Sequence, residues 1–558
     1  MSVKPDRQRA GARLAWQGRM AAVLLIVVSV VGPARAGTRG TEVVAEHGMV
    51  ASAHVLASQA GIEIMRAGGN AVDAAVATAF ALGVVEPNAS GIGGEGMMVI
   101  YRADTRSAVA IDYRSAAPAG ASFPNGVPAT GHASVAVPGT VAGLALALQR
   151  YGTLPLARVL EPAIRLAEDG FVVSPTLAGI IGDNFEEIVK NAPLAAVFCP
   201  DGLPLEAGAR VKNPDLARSL RLVAADGPDV FYRGEIADAI AREAAANGGF
   251  LSKQDLASYR AIERRPVRGT YRGFTLVSAP PPVGGVPVIE ILQILDRFKI
   301  AKYPPLAPRT VHLTAEAMKR GFADYHAFIA DPGFAPVPVD WLISRRYART
   351  RAREIDPAKV SPRVIAGDAP NDGSPSTTSL AVVDAQGSMV ALTQTISEFF
   401  GAKVMVAGTG VILNNEMKNF SRTGVNAMAP GKRMRTTIAP TIILRRGRTV
   451  AALGTPGAAR ITSTMVLLIS DLLDYHMGIQ AAIEAPRYFA RNTEKDLSVE
   501  GRMPPETLAE LAKLGYTFQV LKDFDLFFGG AQGIVIDRAT GRRTGGADPR
   551  RDGAVVGY

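Results

Sequence analysis

The chain has 558 residues, of which 48% are hydrophobic and 20% are charged, so it has the composition of a globular protein with a large core. Its formal net charge of +10 becomes +5 without residues 1–36, which hold six of the 61 Lys and Arg and one of the 51 Asp and Glu. This mild excess, without a dense basic run, predicts no nucleic-acid partner.

Cysteine and histidine usage limits the chemistry further. Cys199 is the only cysteine, so no internal disulfide can form, and its apolar neighbours favour a buried structural thiol over a nucleophile. The six histidines are scattered without H-x-x-x-H spacing, and a single cysteine forms no C-x-x-C pair. The sequence therefore predicts no metal site.

Residues 1–36 are typical of a secretory signal peptide. Five basic residues precede a largely apolar run of 12 residues from Ala21 to Gly32, and Ala34-Arg35-Ala36 provides a small-x-small cleavage site before Gly37. An uncleaved membrane anchor is the alternative, but a membrane-spanning helix needs about 20 apolar residues. We therefore expect a periplasmic or secreted protein without a stable membrane anchor.

Two helices are predicted near the start of the mature chain. The first runs from Val55 to Ala67, and Gly68-Gly69 suits a left-handed C-cap. Asn70 caps the second helix, where Asp73 occupies the N3 position and favours the helix dipole. This second helix is apolar almost all round, which indicates burial in a large core.

A β-hairpin is predicted next, with Met97 to Tyr101 and Ala108 to Tyr113 joined across residues 103–107. The run 91–96 before it satisfies the G-x-G-x-x-G pattern of dinucleotide-binding proteins. Such a fingerprint must follow a strand and open a helix, whereas this run follows a helix and precedes a strand. We interpret it as a tight glycine-rich turn near the active site.

The remaining pattern changes from helices to strands. Residues 140–330 are predicted to be mostly helical, and strands prevail from residue 380. The predicted helices are Thr140–Tyr151, Leu156–Asp169, Arg309–Asp324, Ile461–Tyr475 and Pro504–Leu514. The predicted strands are Leu380–Val383, Met389–Gln394, Val411–Leu413, Thr441–Leu444 and Val450–Leu453. Strands toward both ends of the chain, with helices between and after them, favour an α+β fold built in layers.

Four consecutive hydroxyl side chains, Ser376-Thr377-Thr378-Ser379, stand before the strand at residue 380. One interpretation is an ordinary entry from a loop into a strand. The other is a self-cleavage point between Ser376 and Thr377, which would make Thr377 a new N-terminal residue. Such a threonine carries its nucleophile and its base together, because its own α-amine can take the hydroxyl proton.

The sequence that follows favours self-cleavage. Residues 377–401 resemble the signature of the γ-glutamyltransferase family of N-terminal nucleophile hydrolases, although Ser379, Ala381 and Ser397 depart from its usual residues. Further blocks keep the family's order over nearly all of the mature chain. These blocks are residues 68–77, 91–94, 112–114, 138–139, 413–417, 439–441, 454–457, 546–550 and 557–558.

The resemblance implies a fold and a set of catalytic groups. The fold is a four-layer αββα sandwich formed jointly by two subunits of one precursor, residues 37–376 and 377–558. Thr377 would be the nucleophile, and Thr395 would hydrogen-bond its hydroxyl. The backbone N–H groups of Gly457 and Ala458 would form the oxyanion hole. The family usually has Gly at the second position, so Ala458 needs a permitted backbone angle.

The resemblance also implies a site for the donor's carboxylate. Arg114 matches the family's carboxylate-binding arginine, and a planar guanidinium can donate two parallel hydrogen bonds to such a group. Thr436 and Thr437 stand where many members have a pair of serines that bind the same carboxylate. Hydroxyl donors are therefore kept at both positions.

The implied site for the donor's α-ammonium is less complete. Glu416 fits one of the two ammonium-binding positions, but Asn419 stands where glutamyl-specific members typically have Asp. Ser397, in place of the usual Asn, is a shorter ligand. These departures bear on the γ-glutamyl substrate more than on the nucleophile.

Three functions remain open on the sequence. We predict a γ-glutamyltransferase or glutathione hydrolase, which transfers a γ-glutamyl group from glutathione-like amides to water or an amine without a cofactor. The second is an acylase for dicarboxylic acyl amides that lack the α-amine, as in the family's cephalosporin acylase branch. The third is an unprocessed binding protein that holds carboxylates through Arg114.

The N-terminal pattern generates a first prediction. The exported protein should start at or near Gly37, because signal peptidase removes residues 1–36 after Ala36. Cell fractionation followed by mass analysis of the intact protein checks this. A cytoplasmic protein that retains Met1 would contradict it.

Overall fold

The computed structural model describes residues 40, 42–124, 126–366 and 377–558, so the predicted signal peptide and Ser376 lie outside the described residues. The described strands are β1 Val43–Ala45, β2 Met49–Ser52, β3 Glu95–Arg102, β4 Ser107–Tyr113, β5 Phe171–Val172, β6 Arg210–Val211, β7 Ile262–Arg264, β8 Val267–Tyr271, β9 Phe274–Ser278, β10 Thr378–Val383, β11 Met389–Thr395, β12 Met405–Val406, β13 Val411–Ile412, β14 Thr441–Arg445, β15 Arg448–Gly454, β16 Tyr488–Ala490, β17 Asp496–Glu500, β18 Thr517–Leu521, β19 Gln532–Ile536, β20 Arg543–Ala547 and β21 Ala554–Gly557.

The described α-helices are α1 Val55–Arg66, α2 Ala71–Val85, α3 Thr140–Tyr151, α4 Leu156–Asp169, α5 Pro175–Asp183, α6 Phe185–Ile188, α7 Ala192–Phe198, α8 Pro214–Asp226, α9 Asp229–Tyr232, α10 Glu235–Ala246, α11 Lys253–Ser258, α12 Gly285–Leu295, α13 Pro308–Phe328, α14 Val339–Leu342, α15 Arg345–Arg353, α16 Arg460–Leu473, α17 Ile479–Glu484 and α18 Pro505–Lys513.

Two seven-stranded sheets organise the fold. The first has the strand order β1-β20-β19-β15-β14-β9-β8, and the second has the order β21-β2-β10-β11-β3-β4-β7. Neighbouring strands are antiparallel throughout both sheets. Each sheet combines strands from before and after position 377, and both parts of the chain contribute residues to each of the two large apolar clusters.

Strand β10 shows how the layers stack, because it is buried on both faces. Leu380 and Val382 belong to an apolar cluster that includes α1 and α2. Ala381 and Val383, on the opposite face, belong to a cluster shared with the first sheet. Helices α12, α13 and α16 supply apolar residues to that second cluster. The order helix, sheet, sheet, helix confirms the predicted α+β sandwich.

Helices α1 and α2 form as predicted. Gly68 has a φ of +97°, the left-handed geometry expected after α1. Asn70 and Asp73 form a reciprocal capping box at the start of α2, and all 15 residues of that helix are buried. The Asp73 carboxylate also accepts hydrogen bonds from the backbone N–H groups of Thr153 and Leu154. It therefore joins α2 to the loop between α3 and α4.

The prediction of a mostly helical segment at 140–330 is confirmed, although the segment also contains short strands. Helices α3 and α4 have the predicted bounds, and α13 extends the predicted helix to Pro308–Phe328. However, β8 and β9 form a hairpin here at the edge of the first sheet. Each strand has only five residues, and Gly269 takes the place of one buried side chain in β8. This short and interrupted alternation gives a weak strand pattern.

The remaining sequence predictions concern Cys199 and the membrane. Cys199 is a free and buried thiol, and burial raises its pKa, which confirms the prediction of a structural residue. Among the described residues, no helix combines the length and the apolar character that crossing a membrane requires.

Candidate active site

Thr377 lies immediately before β10, at the point where this central strand enters the second sheet. Its side chain is buried, and its Oγ1 donates a hydrogen bond to Thr395 Oγ1 at 3.2 Å. Thr395 ends the neighbouring strand β11, whose Gln394 is paired with Thr378. The antiparallel register therefore brings together the two threonines that the sequence predicted as partners.

Thr395 is itself held in place by the turn that follows β11. The backbone N–H of Ser397 donates to Thr395 Oγ1 at 2.8 Å. Ser397 has a φ of +80°, a left-handed conformation that is uncommon for a non-glycine residue. This turn directs one N–H at the hydroxyl that contacts Thr377.

A buried ion pair holds the backbone of Thr377. Arg551 Nη1 donates to the carbonyl oxygen of Thr377 at 2.8 Å and lies 3.3 Å from Glu86 Oε1. Burial raises the pKa of Glu86, whereas the Arg551 charge opposes this shift. Neither Glu86 nor Arg551 was predicted from the sequence to lie in the site. Arg551 directly follows the family-like block at 546–550, and this proximity was the one signal in the sequence that could have indicated its place in the site.

The predicted oxyanion residues lie in the turn between β15 and α16. Gly457 and Ala458 have φ values of +132° and +48°. Ala458 thus adopts a left-handed conformation, which is uncommon for a non-glycine residue. Thr437 Oγ1 donates to its carbonyl oxygen at 2.6 Å. Within the described part of the chain, neither backbone N–H donates a hydrogen bond to another residue.

This turn approaches β10 through a close contact between the two sheets. A Cβ atom added to Gly454, the last residue of β15, would lie 2.1 Å from Ser379 Oγ. The Ser379 hydroxyl donates a hydrogen bond to the carbonyl oxygen of Leu392 on β11 at 3.0 Å, within its own sheet. The small Ser379, where the family usually has His, therefore fits against a glycine of the facing sheet.

Arg114 follows β4 and has no exposed surface. Its Nη2 lies 3.4 Å from Glu416 Oε2, and its Nη1 forms an ion pair with Glu95 Oε1. Burial lowers the pKa of the Arg114 guanidinium, and the negative charge of Glu416 opposes the shift. Glu95 stands in the glycine-rich turn, and its contact with Arg114 was not predicted from the sequence.

A polar chain joins Arg114 to the threonine pair. Asn419 Nδ2 donates to Glu416 Oε2 at 2.7 Å and to Ser397 Oγ at 3.1 Å. Glu416 and Asn419 begin and end one turn of 3-10 helix, so their side chains share a face. The hydrogen bond from Ser397 N to Thr395 completes the connection. We call the residues Thr377, Thr395, Ser397, Asn419, Glu416 and Arg114 the polar chain.

The two remaining predicted ligands lie beside the oxyanion turn. Thr437 uses its hydroxyl to bind Ala458, and the half-buried Thr436 accepts from Ile438 N at 3.4 Å. Among the described residues, neither hydroxyl hydrogen-bonds Arg114. The structure thus groups the predicted residues into the polar chain and a second cluster at the turn.

The glycine-rich turn at 91–96 packs against the same region, as the sequence analysis predicted. A Cβ atom on Gly94 would lie 2.3 Å from the carbonyl oxygen of Thr395, and one on Gly93 would lie 2.2 Å from that of Ile412. Glycine is needed here because two backbones approach closely. The turn follows α2 and leads into β3, which agrees with its interpretation as a structural turn.

Two facing antiparallel sheets between helical layers, with a threonine at the start of a central strand, are the architecture of the N-terminal nucleophile hydrolases. A sequence model of the family described as Gamma-glutamyltranspeptidase matches residues 57–558. The chain belongs to the gamma-glutamyltranspeptidase family, which confirms the family predicted from the sequence.

Several known proteins are similar over almost their whole length. The glutathione hydrolase proenzyme of Escherichia coli K12 is 38% identical, with 92% of each chain covered. The "Acylase ACY 1 proenzyme" of Pseudomonas sp. SE83 is 42% identical, with 91% of this chain and 93% of the acylase covered. The crystal structure of cephalosporin acylase from Bacillus halodurans has a TM-score of 0.88 and 33% identity, covering 94% of this chain and 98% of that one.

The contact between Arg551 and Thr377 leads to a prediction about processing. Arg551→Ala should slow the predicted self-cleavage by about 10- to 100-fold, because a hydrogen bond from a charged donor contributes roughly 1.5–3 kcal/mol. The conversion of precursor to fragments over time on a denaturing gel measures the rate. Arg551→Lys should be impaired less, since it keeps the charge.

Arg542→Ala is the control, because Arg542 is exposed and contacts only Glu46 at 3.6 Å among its charged neighbours in the described chain. It should cleave at the wild-type rate. Circular dichroism establishes that each variant is folded. A folded Arg551→Ala protein that cleaves as fast as the wild type would remove Arg551 from the processing site.

Proposed function

We propose that this protein is an exported, self-processing γ-glutamyltransferase or glutathione hydrolase. It would act on γ-glutamyl amides such as glutathione in the periplasm or outside the cell, as two subunits, residues 37–376 and 377–558. The observation that carries the proposal is the polar chain, which connects Thr377 to a buried arginine within one site. Membership of the gamma-glutamyltranspeptidase family and the signal peptide predicted from the sequence support it.

Self-processing would begin with attack by Thr377 Oγ1 on the carbonyl carbon of Ser376. The C–N bond between Ser376 and Thr377 breaks as an ester to Oγ1 forms, and the proton lost by the hydroxyl goes to the leaving nitrogen. Water then hydrolyses the ester, which frees the hydroxyl and leaves an α-amine on Thr377. Arg551 would keep the Thr377 carbonyl fixed during this exchange.

The mature Thr377 would then carry out acyl transfer. Its α-amine takes the hydroxyl proton as Oγ1 attacks the donor's amide carbonyl. The N–H groups of Gly457 and Ala458 stabilise the negative oxygen of the tetrahedral intermediate, and Thr437 keeps Ala458 in its left-handed conformation. Collapse of the intermediate releases the amine, and water or an amine acceptor removes the acyl group from Thr377.

The rest of the polar chain would hold the donor. Arg114 pairs with the donor's α-carboxylate, and Thr436 adds a hydroxyl donor from the side of the oxyanion turn. Thr437, whose single O–H is donated to Ala458, supports that turn. Glu416 accepts from the α-ammonium, with Ser397 and Asn419 as neutral partners. Thr395 connects this pocket to the nucleophile, so a donor bound at Arg114 extends its γ-carbonyl toward Thr377.

The nucleophile supplies the direct test. Thr377→Ala should remain a single chain without amidase activity, because the attacking oxygen is gone. Thr377→Ser keeps a hydroxyl and should still cleave. Mass analysis should find a wild-type fragment that starts at Thr377. The wild-type protein should also hydrolyse a γ-glutamyl anilide in an activity assay. An intact wild-type chain, or a fragment with another N-terminus, argues against the proposed processing.

The second candidate function is an acylase for dicarboxylic acyl amides without an α-amine. A specific observation favours it, since Asn419 is neutral and already donates its amide N–H to Glu416. This hydrogen bond occupies part of the only carboxylate among the predicted ammonium ligands. The similarity to proteins named acylases agrees with this alternative.

Asn419→Asp distinguishes the two donor classes. It places a second carboxylate next to Glu416, and the repulsion between them is relieved by a donor that brings an ammonium group. The ratio of kcat/KM for γ-glutamyl anilide over glutaryl anilide should rise about tenfold or more, since a charged hydrogen bond contributes roughly 1.5–3 kcal/mol. The assay uses processed enzyme, so that poor maturation does not lower both activities. An unchanged ratio would place Asn419 away from the donor's α-position.

A further inference from the structure

Arg114 lies between two carboxylates, those of Glu95 and Glu416, although only Glu416 was predicted as a ligand from the sequence. Glu95 and Arg114 both have no exposed surface, and their side chains form a direct ion pair. The second carboxylate oxygen of Glu95 accepts from the backbone N–H of Ser115 at 2.6 Å, which fixes the carboxylate beside the guanidinium. Glu416 approaches the other side of Arg114 at 3.4 Å.

Two further carboxylates, those of Asp112 and Asp331, pair with arginines other than Arg114. Asp112 is the next carboxylate along β4, and it is paired with Arg264 and Arg433 at 2.6 Å each. Asp331, 4.0 Å from Arg264, adds the second negative charge to that group. Arg435, next to the Met434 carbonyl that Arg114 contacts, is a further buried cation, and its Nη1 donates to main-chain carbonyls. Within the cluster itself, the two carboxylates of Glu95 and Glu416 therefore face the one guanidinium of Arg114.

The guanidinium still has capacity for a ligand. Within the described chain, Arg114 Nε is buried without a hydrogen-bond partner. A buried charged donor without a partner is costly, so a carboxylate that reached it would gain a strong hydrogen bond. A donor carboxylate is thus attracted by Arg114 but meets two negative side chains at the same place.

We propose that Glu95 is a specificity-determining residue that selects donors carrying an ammonium group next to their carboxylate. The inference rests on the proposed function of this site. A plain dicarboxylic acyl group adds a third negative charge to the cluster, whereas an α-amino acid brings a compensating positive charge with its carboxylate. Like charges this close in a buried region repel strongly. Glu95 thereby supplies the negative charge that is missing at Asn419.

Glu95→Gln tests the inference, because glutamine keeps the side-chain shape and an acceptor for Ser115. The measured quantity is the ratio of kcat/KM for γ-glutamyl p-nitroanilide over glutaryl p-nitroanilide in processed enzyme. We expect this ratio to fall at least tenfold, mainly through faster turnover of the glutaryl donor. An unchanged ratio, or one that rises, overturns the role of Glu95.

Glu316→Gln is the matched control. Glu316 is also a fully buried carboxylate paired with an arginine, Arg320 at 2.8 Å, but this pair lies within α13 and shares no contact with Arg114 in the described structure. The control should leave the donor ratio unchanged. An equal fall in both variants means that the loss of any buried carboxylate changes the ratio, which overturns the inference.

Equilibrium binding separates this inference from the proposed function. If the wild type hydrolyses neither anilide, the proposed function fails, but calorimetry with glutarate and L-glutamate still tests Glu95. The folded Glu95→Gln protein should bind glutarate at least tenfold more tightly than the wild type, with a smaller change for L-glutamate. Equal glutarate affinity in both proteins, or no binding of either ligand to either protein, contradicts the inference.

Discussion

The pairing of β10 with strands on both sides is the constraint on which the site depends. Hydrogen bonds to β2 and β11 fix the register of β10, and both faces of the strand are buried. A shift by one residue would exchange the two faces and place Leu380 where Ala381 lies. Thr377 stands directly before this strand, so the same register sets the position of its hydroxyl opposite Thr395.

The polar chain also depends on the register of β10, because that register places Thr377 opposite Thr395. Hydroxyl, amide and charged groups at Thr377, Asn419 and Arg114 lie in or beside the apolar core. Such groups are tolerated there because they bond to one another, and each bond restricts its neighbour. A change at Arg114 would therefore be transmitted to Thr377 through these contacts, so the proposed donor site and the proposed nucleophile would be coupled.

The sequence predicts those parts of the fold that rest on local patterns. Helices α3 and α4 have strong 3.6-residue periodicity, and Asn70 and Asp73 form a local capping box, so their structures follow from neighbouring residues. The hairpin of β8 and β9 was missed because its stability comes from pairing with β14, which lies more than 160 residues later. Strand pairing over such separations leaves little trace in a short window of sequence.

The same distinction applies to the candidate site. Thr377, Thr395 and Arg114 stand in recognisable motifs, and the structure brings all three into one region. Arg551 and Glu95 make contacts with residues that are distant in sequence. Arg551 is 174 residues from the carbonyl that it binds. Glu95 lies in the run 91–96, which its glycines alone identify as a turn. Pairings between distant charges are decided by tertiary structure, so spacing along the chain does not reveal them.

Both sheets contain strands from before and after residue 377, and this affects the stability of the protein once the chain is cut before Thr377. Because β10 pairs with β2 and β11 pairs with β3, separation of the pieces would require breaking these two ladders of the second sheet, so dissociation and unfolding would be one event. Intact chains refold as single molecules, but two pieces must first meet, which makes recovery depend on concentration. Cleavage would thus turn a reversible fold into one that persists mainly because it unfolds slowly.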